Sequence, residues 1–142
     1  MPAAATLLGL IPHQGRMCLL DRVERWTATE ILCRTRSHLD PANPLRRAGR
    51  LAAVCGIEYG LQAAAAHGAL AAPSAVAGWL AAVRSLELAT PWLDDAGFGE
   101  LAVGATLLHR DAGGFIYAFT VHAESHDLLL SGTGTIVVPR RP

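Results

Sequence analysis

The sequence predicts an α+β fold in which a curved antiparallel sheet wraps one long central helix. Three observations predict it. Residues 51–66, Leu-Ala-Ala-Val-Cys-Gly-Ile-Glu-Tyr-Gly-Leu-Gln-Ala-Ala-Ala-Ala, form a helix that is apolar nearly all round and therefore needs an enclosure. Strand-like stretches joined by short turns lie before and after it. Gly56 and Gly60 sit one turn apart with Ala52 and Ala64 on the same stripe, so a sheet can approach the helix backbone closely.

Taken in order, residues 6–10 fit one helical turn that ends before Pro12. Residues 17–26 read as a strand, apolar at first and alternating later, and 27–30 as a turn. Residues 31–39 alternate again, with Ile31, Cys33, Thr35 and Ser37 opposite Leu32, Arg34, Arg36 and His38. Asp40-Pro41-Ala42-Asn43-Pro44 is a turn cluster that continues as a loop through Gly49. The helix follows over about 51–66, with His67-Gly68 as its stop. Residues 76–89 are strand-like, with Gly78 as a candidate bulge. A loop at 94–99 precedes three further strands at 100–110, 115–125 and 128–138, turned at 111–114 and 126–127.

The 142 residues suit one domain spanning the whole chain. Apolar residues make up 51% and charged ones 17%, so a core is easily filled. Twelve basic residues balance twelve acidic ones, which excludes a nucleic-acid surface or a charged membrane patch as the organising feature. Every basic residue is Arg, a bias best attributed to composition. Cys18, Cys33 and Cys55 form no C-x-x-C pair and favour free thiols in a reducing compartment. Neither a signal peptide nor a membrane span is visible, so a cytoplasmic protein is expected. No metal-ligand spacing links the histidines, and no metal is expected.

One residue breaks the helix pattern. Glu58 shares its side with Val54, Cys55, Leu61 and Gln62. Two readings are open on pattern alone: a surface glutamate on a poorly amphipathic segment, or a carboxyl whose burial holds it near neutrality as a general acid. The packing logic is that of a hotdog fold, and such domains usually dimerise because an edge strand and part of the helix stay uncovered.

A family resemblance rests on two motifs in the right order. Residues 10–23, Leu-Ile-Pro-His-Gln-Gly-Arg-Met-Cys-Leu-Leu-Asp-Arg-Val, resemble the opening L-P-H-R-x-P-x-L-L-V-D-R-V of FabZ-type 3-hydroxyacyl-(acyl carrier protein) dehydratases. Gly56-Ile-Glu58-Tyr-Gly-Leu-Gln62-Ala is similar to their helix motif L-E-A-M-A-Q-A, and closer still to the G-I-E-Y-x-x-Q of the divergent aryl-polyene branch.

The resemblance implies loss of water from a 3-hydroxyacyl thioester on a phosphopantetheine arm, with no cofactor of the protein's own. Its partners would be an acyl carrier protein and a second hotdog chain, the same or different. It implies Glu58 as the acid that assists loss of hydroxyl, and Gln62 as support for that acid or the neighbouring loop. N–H groups over 49–53, Gly49 and Leu51 among them, would bind the thioester oxygen.

There is a departure. Registered on Glu58, the family's histidine base falls at position 44, which is Pro44 here. His13 in Pro-His-Gln-Gly, or His38 before the turn cluster, is then the candidate base. The plain alternatives are a loop-capping His13 and an exposed His38. The same departure keeps two other functions open: a non-catalytic partner of an active dehydratase, or an acyl thioesterase. Arg46, Arg47 and Arg50 are either a solvated loop or a docking patch for a carrier protein's phosphate. Tyr59 and Trp79 are core residues or liners of an acyl tunnel. Asp21-Arg22 are expected in structural pairs, Cys55 as a small buried residue, and His67 at the helix end. His109, His122 and His126 are expected at surface or edge positions.

Overall fold

The computed structural model describes residues 17–71 and 78–139. In chain order it holds β1 (Arg22–Trp26), β2 (Glu30–Thr35), α1 (Gly56–Ala71), β3 (Trp79–Leu88), β4 (Leu101–Asp111), β5 (Gly114–His122) and β6 (Leu128–Val137). The strands form one six-stranded sheet in the order β1-β2-β4-β5-β6-β3. All five pairings are antiparallel. The predicted turn at 6–10, and His13, lie outside the described residues.

Alternation decides which side of the sheet meets the helix. Ile31, Cys33 and Thr35 of β2, Leu101, Val103 and Ala105 of β4, and Tyr117, Phe119 and Val121 of β5 are buried. Their neighbours Leu32, Ala102, Gly104, Ala118 and Thr120 are half-buried on the other face. The helix contributes Tyr59, Ala63, Ala64 and Ala66 to the same core. Small residues bring the layers together: a Cβ on Gly60 would stand 2.6 Å from the Phe119 ring, and one on Gly56 would overlap Leu130.

Four boundaries differ from the sequence pattern by four residues or more, each for a local reason. The first strand starts at Arg22 rather than at 17, because side chains take both backbone polar groups of Leu19: its N–H donates to Gln62 Oε1, and its carbonyl accepts from Thr35 and Ser37. The second strand ends at Thr35, and Ser37–Leu39 coils into a 3₁₀ turn. Residues 51–55 are not α-helical. The Leu51 carbonyl accepts from Leu93 N–H and the Ala53 N–H donates to the Pro91 carbonyl, each at 2.9 Å, and a 3₁₀ turn over Ala53–Cys55 leads into α1.

At its other end α1 runs past Gly68 to Ala71. The ring of His67 is the reason. Its Nε2 lies 2.9 Å from the Thr27 carbonyl and its Nδ1 2.7 Å from the Tyr117 hydroxyl. A carbonyl can only accept, so Nε2 carries the proton. His67 is therefore a buried tie between helix and sheet rather than the expected helix-end residue.

The irregularities of β3 fall between Leu80 and Ala82 and between Arg84 and Glu87, not at Gly78. Ser85 in the second has φ +54°, which is unfavourable for a residue with a Cβ. One edge of β3 pairs with β6, and among the described residues no strand lies beside the other. Trp79 on this strand is 56% exposed, and Leu80 and Leu88 are also exposed.

Candidate active site

Glu58 lies in the first turn of α1 and is half-buried. It is neither a plain surface residue nor sealed in the core. Gln62, one turn on, is buried. The Leu19 N–H donates to Gln62 Oε1 at 2.8 Å, so the amide nitrogen faces the other way. That nitrogen donates to the Met17 carbonyl and, at 3.4 Å, to Glu58 Oε1. Gln62 thus supports both the candidate acid and the neighbouring segment.

Pro44 stands in a loop organised from within. Asp40 accepts from the Ala42 N–H at 2.8 Å, and Asn43 accepts from the Leu45 N–H at 2.9 Å. Arg46 gathers the loop: it donates to the carbonyls of Asp40 (2.9 Å), Gly49 (2.8 Å) and His38 (3.0 Å), and lies 3.5 Å from Asp94. Arg50 meets Asp94 at 2.9 and 3.3 Å and sits 4.3 Å above the Trp92 ring. The Arg50 guanidinium, helped by the Leu51 N–H, holds the Asp94 carboxyl below the usual carboxylate range. Two of the three arginines are therefore internal fasteners. Arg47 is exposed and donates to the Pro44 and Arg46 carbonyls.

The segment expected to offer thioester donors is partly committed. Arg50 N–H donates to the Arg47 carbonyl at 3.0 Å, Leu51 N–H faces Asp94, and Ala53 N–H is taken by Pro91. Leu51 is fully buried, whereas Gly49 is exposed with φ +77°. Leu51 is thus not placed as an open donor, because its N–H and carbonyl are both used by the 91–94 loop.

His38 is not the exposed strand-end residue that alternation suggests. Its relative exposure is 0%, and neither ring nitrogen makes a hydrogen bond of good geometry. Burial pushes its pKa down to about 4, opposed by the Gly99 backbone and by Asp94, while Arg36 and Arg46 push the same way as burial. A ring buried in this way is not open to a substrate in the described residues, which weighs against His38 as base.

The remaining candidates separate readily. Tyr59 is a core residue, its hydroxyl 2.8 Å from Ser37 Oγ and 3.0 Å from Asn43 Nδ2. Trp79 stands on the exposed edge strand. Cys55 is half-buried, and burial raises its pKa. Arg22 pairs with Glu100 at 2.8 Å, and Asp21 accepts from the Arg36 N–H. His109 pairs with Asp111 at 3.0 Å on the surface. Sequence reading missed Ser37 and Asn43, whose only signal was their place beside the turn cluster. Among the described residues no group of His, Cys, Asp and Glu is arranged to hold a metal ion, and no helix is long and apolar enough to cross a membrane.

Among the described residues a single antiparallel sheet packs round one long helix, which defines a hotdog-fold protein. The chain belongs to the ApeP-like family: the profile of that family, described as ApeP dehydratase, matches residues 5–142. Solved structures share the fold. A chain of the dehydratase heterocomplex ApeI:P from Xenorhabdus doucetiae superposes with a TM-score of 0.78 at 18% identity, covering 99% of this chain and 93% of that one. AziG from S. sahachiroi gives 0.69 at 17% identity, covering 93% and 99%. Thioesterase HI1161 from Haemophilus influenzae gives 0.71 at 12% identity, covering 99% and 92%. No curated protein matches the chain.

Proposed function

We propose that this chain acts on 3-hydroxyacyl thioesters carried on the phosphopantetheine of an acyl carrier protein, as one half of a hotdog dimer in fatty-acid-like or aryl-polyene biosynthesis. The observation that carries the reading is Glu58, a half-buried carboxyl on the first turn of the wrapped helix, within reach of the Gln62 amide. Dehydration needs a proton for the departing hydroxyl, and Glu58 supplies it. The α-proton needs a base, and His13 is our choice. It stands in the motif over residues 10–23 that resembles the family opening. The edge of β3 that no described strand pairs with, with its exposed Trp79, Leu80 and Leu88, is the surface for the second hotdog chain.

A second reading is favoured by Pro44 and by the sealed ring of His38. In it the chain is the partner of an active dehydratase and contributes fold, acyl binding or stability without turning over alone. The ApeI:P relative, itself a heterocomplex, agrees with such an arrangement.

One assay separates these. Purified protein given a 3-hydroxyacyl carrier-protein thioester is expected to yield the enoyl product, and Glu58→Gln to abolish it. Activity that appears only with a second hotdog chain, and survives Glu58→Gln, assigns the partner role. Release of free thiol assigns a thioesterase instead. His13→Ala is expected to lose activity and His38→Ala to lose stability; the opposite pattern transfers the base to His38.

A further inference from the structure

Glu58 and Tyr59 are sequence neighbours, and helical geometry turns their side chains about 100° apart. A run of hydrogen bonds through the segment before β1 joins them again. Asn43 Nδ2 donates to the Tyr59 hydroxyl at 3.0 Å and to the Ser37 carbonyl at 2.9 Å. The Ser37 hydroxyl donates to the Leu19 carbonyl at 2.6 Å. Its one proton is thereby used, so across the 2.8 Å contact Tyr59 is the donor and Ser37 Oγ the acceptor. On the other side of Leu19, its N–H donates to Gln62 Oε1, and the Gln62 nitrogen donates to Met17 and Glu58. Every proton in this run has one direction.

Leu19 is the point where the two halves meet. It is fully buried, as is Tyr59, and Gln62 is 1% exposed. A satisfied polar network in such surroundings is stiff, because each member would be left unpaired by moving. Burial also pushes the Tyr59 hydroxyl up to about 12, so it remains a donor at every ordinary pH.

On the reading of Glu58 as the site acid, we propose that Ser37 and Tyr59 are positioning residues for it, acting through the Leu19 backbone and the Gln62 amide. Tyr59 itself faces the core. Its effect reaches Glu58 because Leu19 cannot shift without turning Gln62.

The test uses Tyr59→Phe, Ser37→Ala and Ser37→Thr in the full chain, together with a hotdog partner where turnover requires one. Hydrogen–deuterium exchange over residues 17–20 and turnover of a 3-hydroxyacyl carrier-protein thioester are both read. Tyr59→Phe and Ser37→Ala are expected to speed exchange and lower kcat about tenfold, the size of one buried hydrogen bond, with KM unchanged. Ser37→Thr, which keeps the hydroxyl, is expected to restore both. Tyr59→Phe combined with Gln62→Ala should lose no more than Gln62→Ala alone.

Unchanged exchange over 17–20 in both Tyr59→Phe and Ser37→Ala overturns the proposal, as do additive losses in the double variant or a rise in KM at constant kcat. If Tyr59→Phe does not fold, Ser37→Ala decides. A wild-type chain without turnover in any preparation overturns the role of Glu58 itself, and the exchange measurement then judges the Leu19 clamp separately.

Discussion

The ring of Phe119 occupies the place where a side chain on Gly60 would begin: a Cβ there would stand 2.6 Å from the ring carbons Cδ1 and Cγ. Helix and sheet approach this closely because Gly60 has no side chain, and Phe119 fills the space with a buried ring. Gly60→Ala therefore trades a gain in helix propensity of up to about 1 kcal/mol against overpacking. The clash prevails, since Phe119 is enclosed on the sheet side by Gly132, whose own Cβ would stand 2.8 Å from the ring. A net destabilisation of about 1–3 kcal/mol is expected in urea unfolding. A stabilised Gly60→Ala would show that the layers separate more easily than this packing implies.

His67 ties α1 to both the β1–β2 turn and β5. Replacing it with Ala leaves the Thr27 carbonyl and the Tyr117 hydroxyl without their partner and opens a hole beside the Tyr117 ring. A loss of about 2–4 kcal/mol is expected, with the last turn of the helix fraying first. Amide exchange over residues 66–71 reports the fraying. Uniform loosening of the whole fold would point to a different role.

The buried His38 makes stability depend on pH in a definite direction. Its pKa falls from an ordinary 6.5 to about 4 on folding, so between those values the unfolded chain binds a proton that the folded one refuses. This contribution is fully present above about pH 6.5 and is lost as pH falls toward 4. On the order of 3 kcal/mol is at stake. His38→Leu, which cannot titrate, should show a flatter stability profile between pH 7 and 4.5. Parallel profiles for the two proteins would rule out His38 as the source.

Arg46 holds three loop carbonyls and lies beside Asp94. A lysine keeps the charge but not the fork of donors. Arg46→Lys is expected to cost about 1–2 kcal/mol and to open residues 40–50 to proteolysis while leaving the sheet intact. Equal protease resistance in the variant would mean that Asp40 and Asn43 suffice to order the loop.

Much of the fold was legible in the sequence because periodicity records which side of an element is buried. The alternation of Ile31, Cys33 and Thr35 and the glycines of the helix both anticipated the layered packing. The helix ends were not legible. Leu51–Ala53 look helical in composition, yet their backbone pairs with residues 91–93, a partner some forty residues away. Gly68 looks like a stop, yet a ring from the preceding residue holds the helix to its neighbours.

For the site, the sequence by itself determined the chemistry available. It placed a carboxyl and an amide one turn apart on an apolar helix, and it put Pro44 where the resembling family has histidine. Tertiary structure alone decided how those groups are used. It sealed His38 in the core, spent Arg46 and Arg50 on the loop and Asp94, and fastened Gln62 to Leu19 and Met17. The reason is physical: residue type sets what a group can donate, accept or titrate, whereas burial and the partners that long-range packing brings within hydrogen-bond distance set which of those capacities survives.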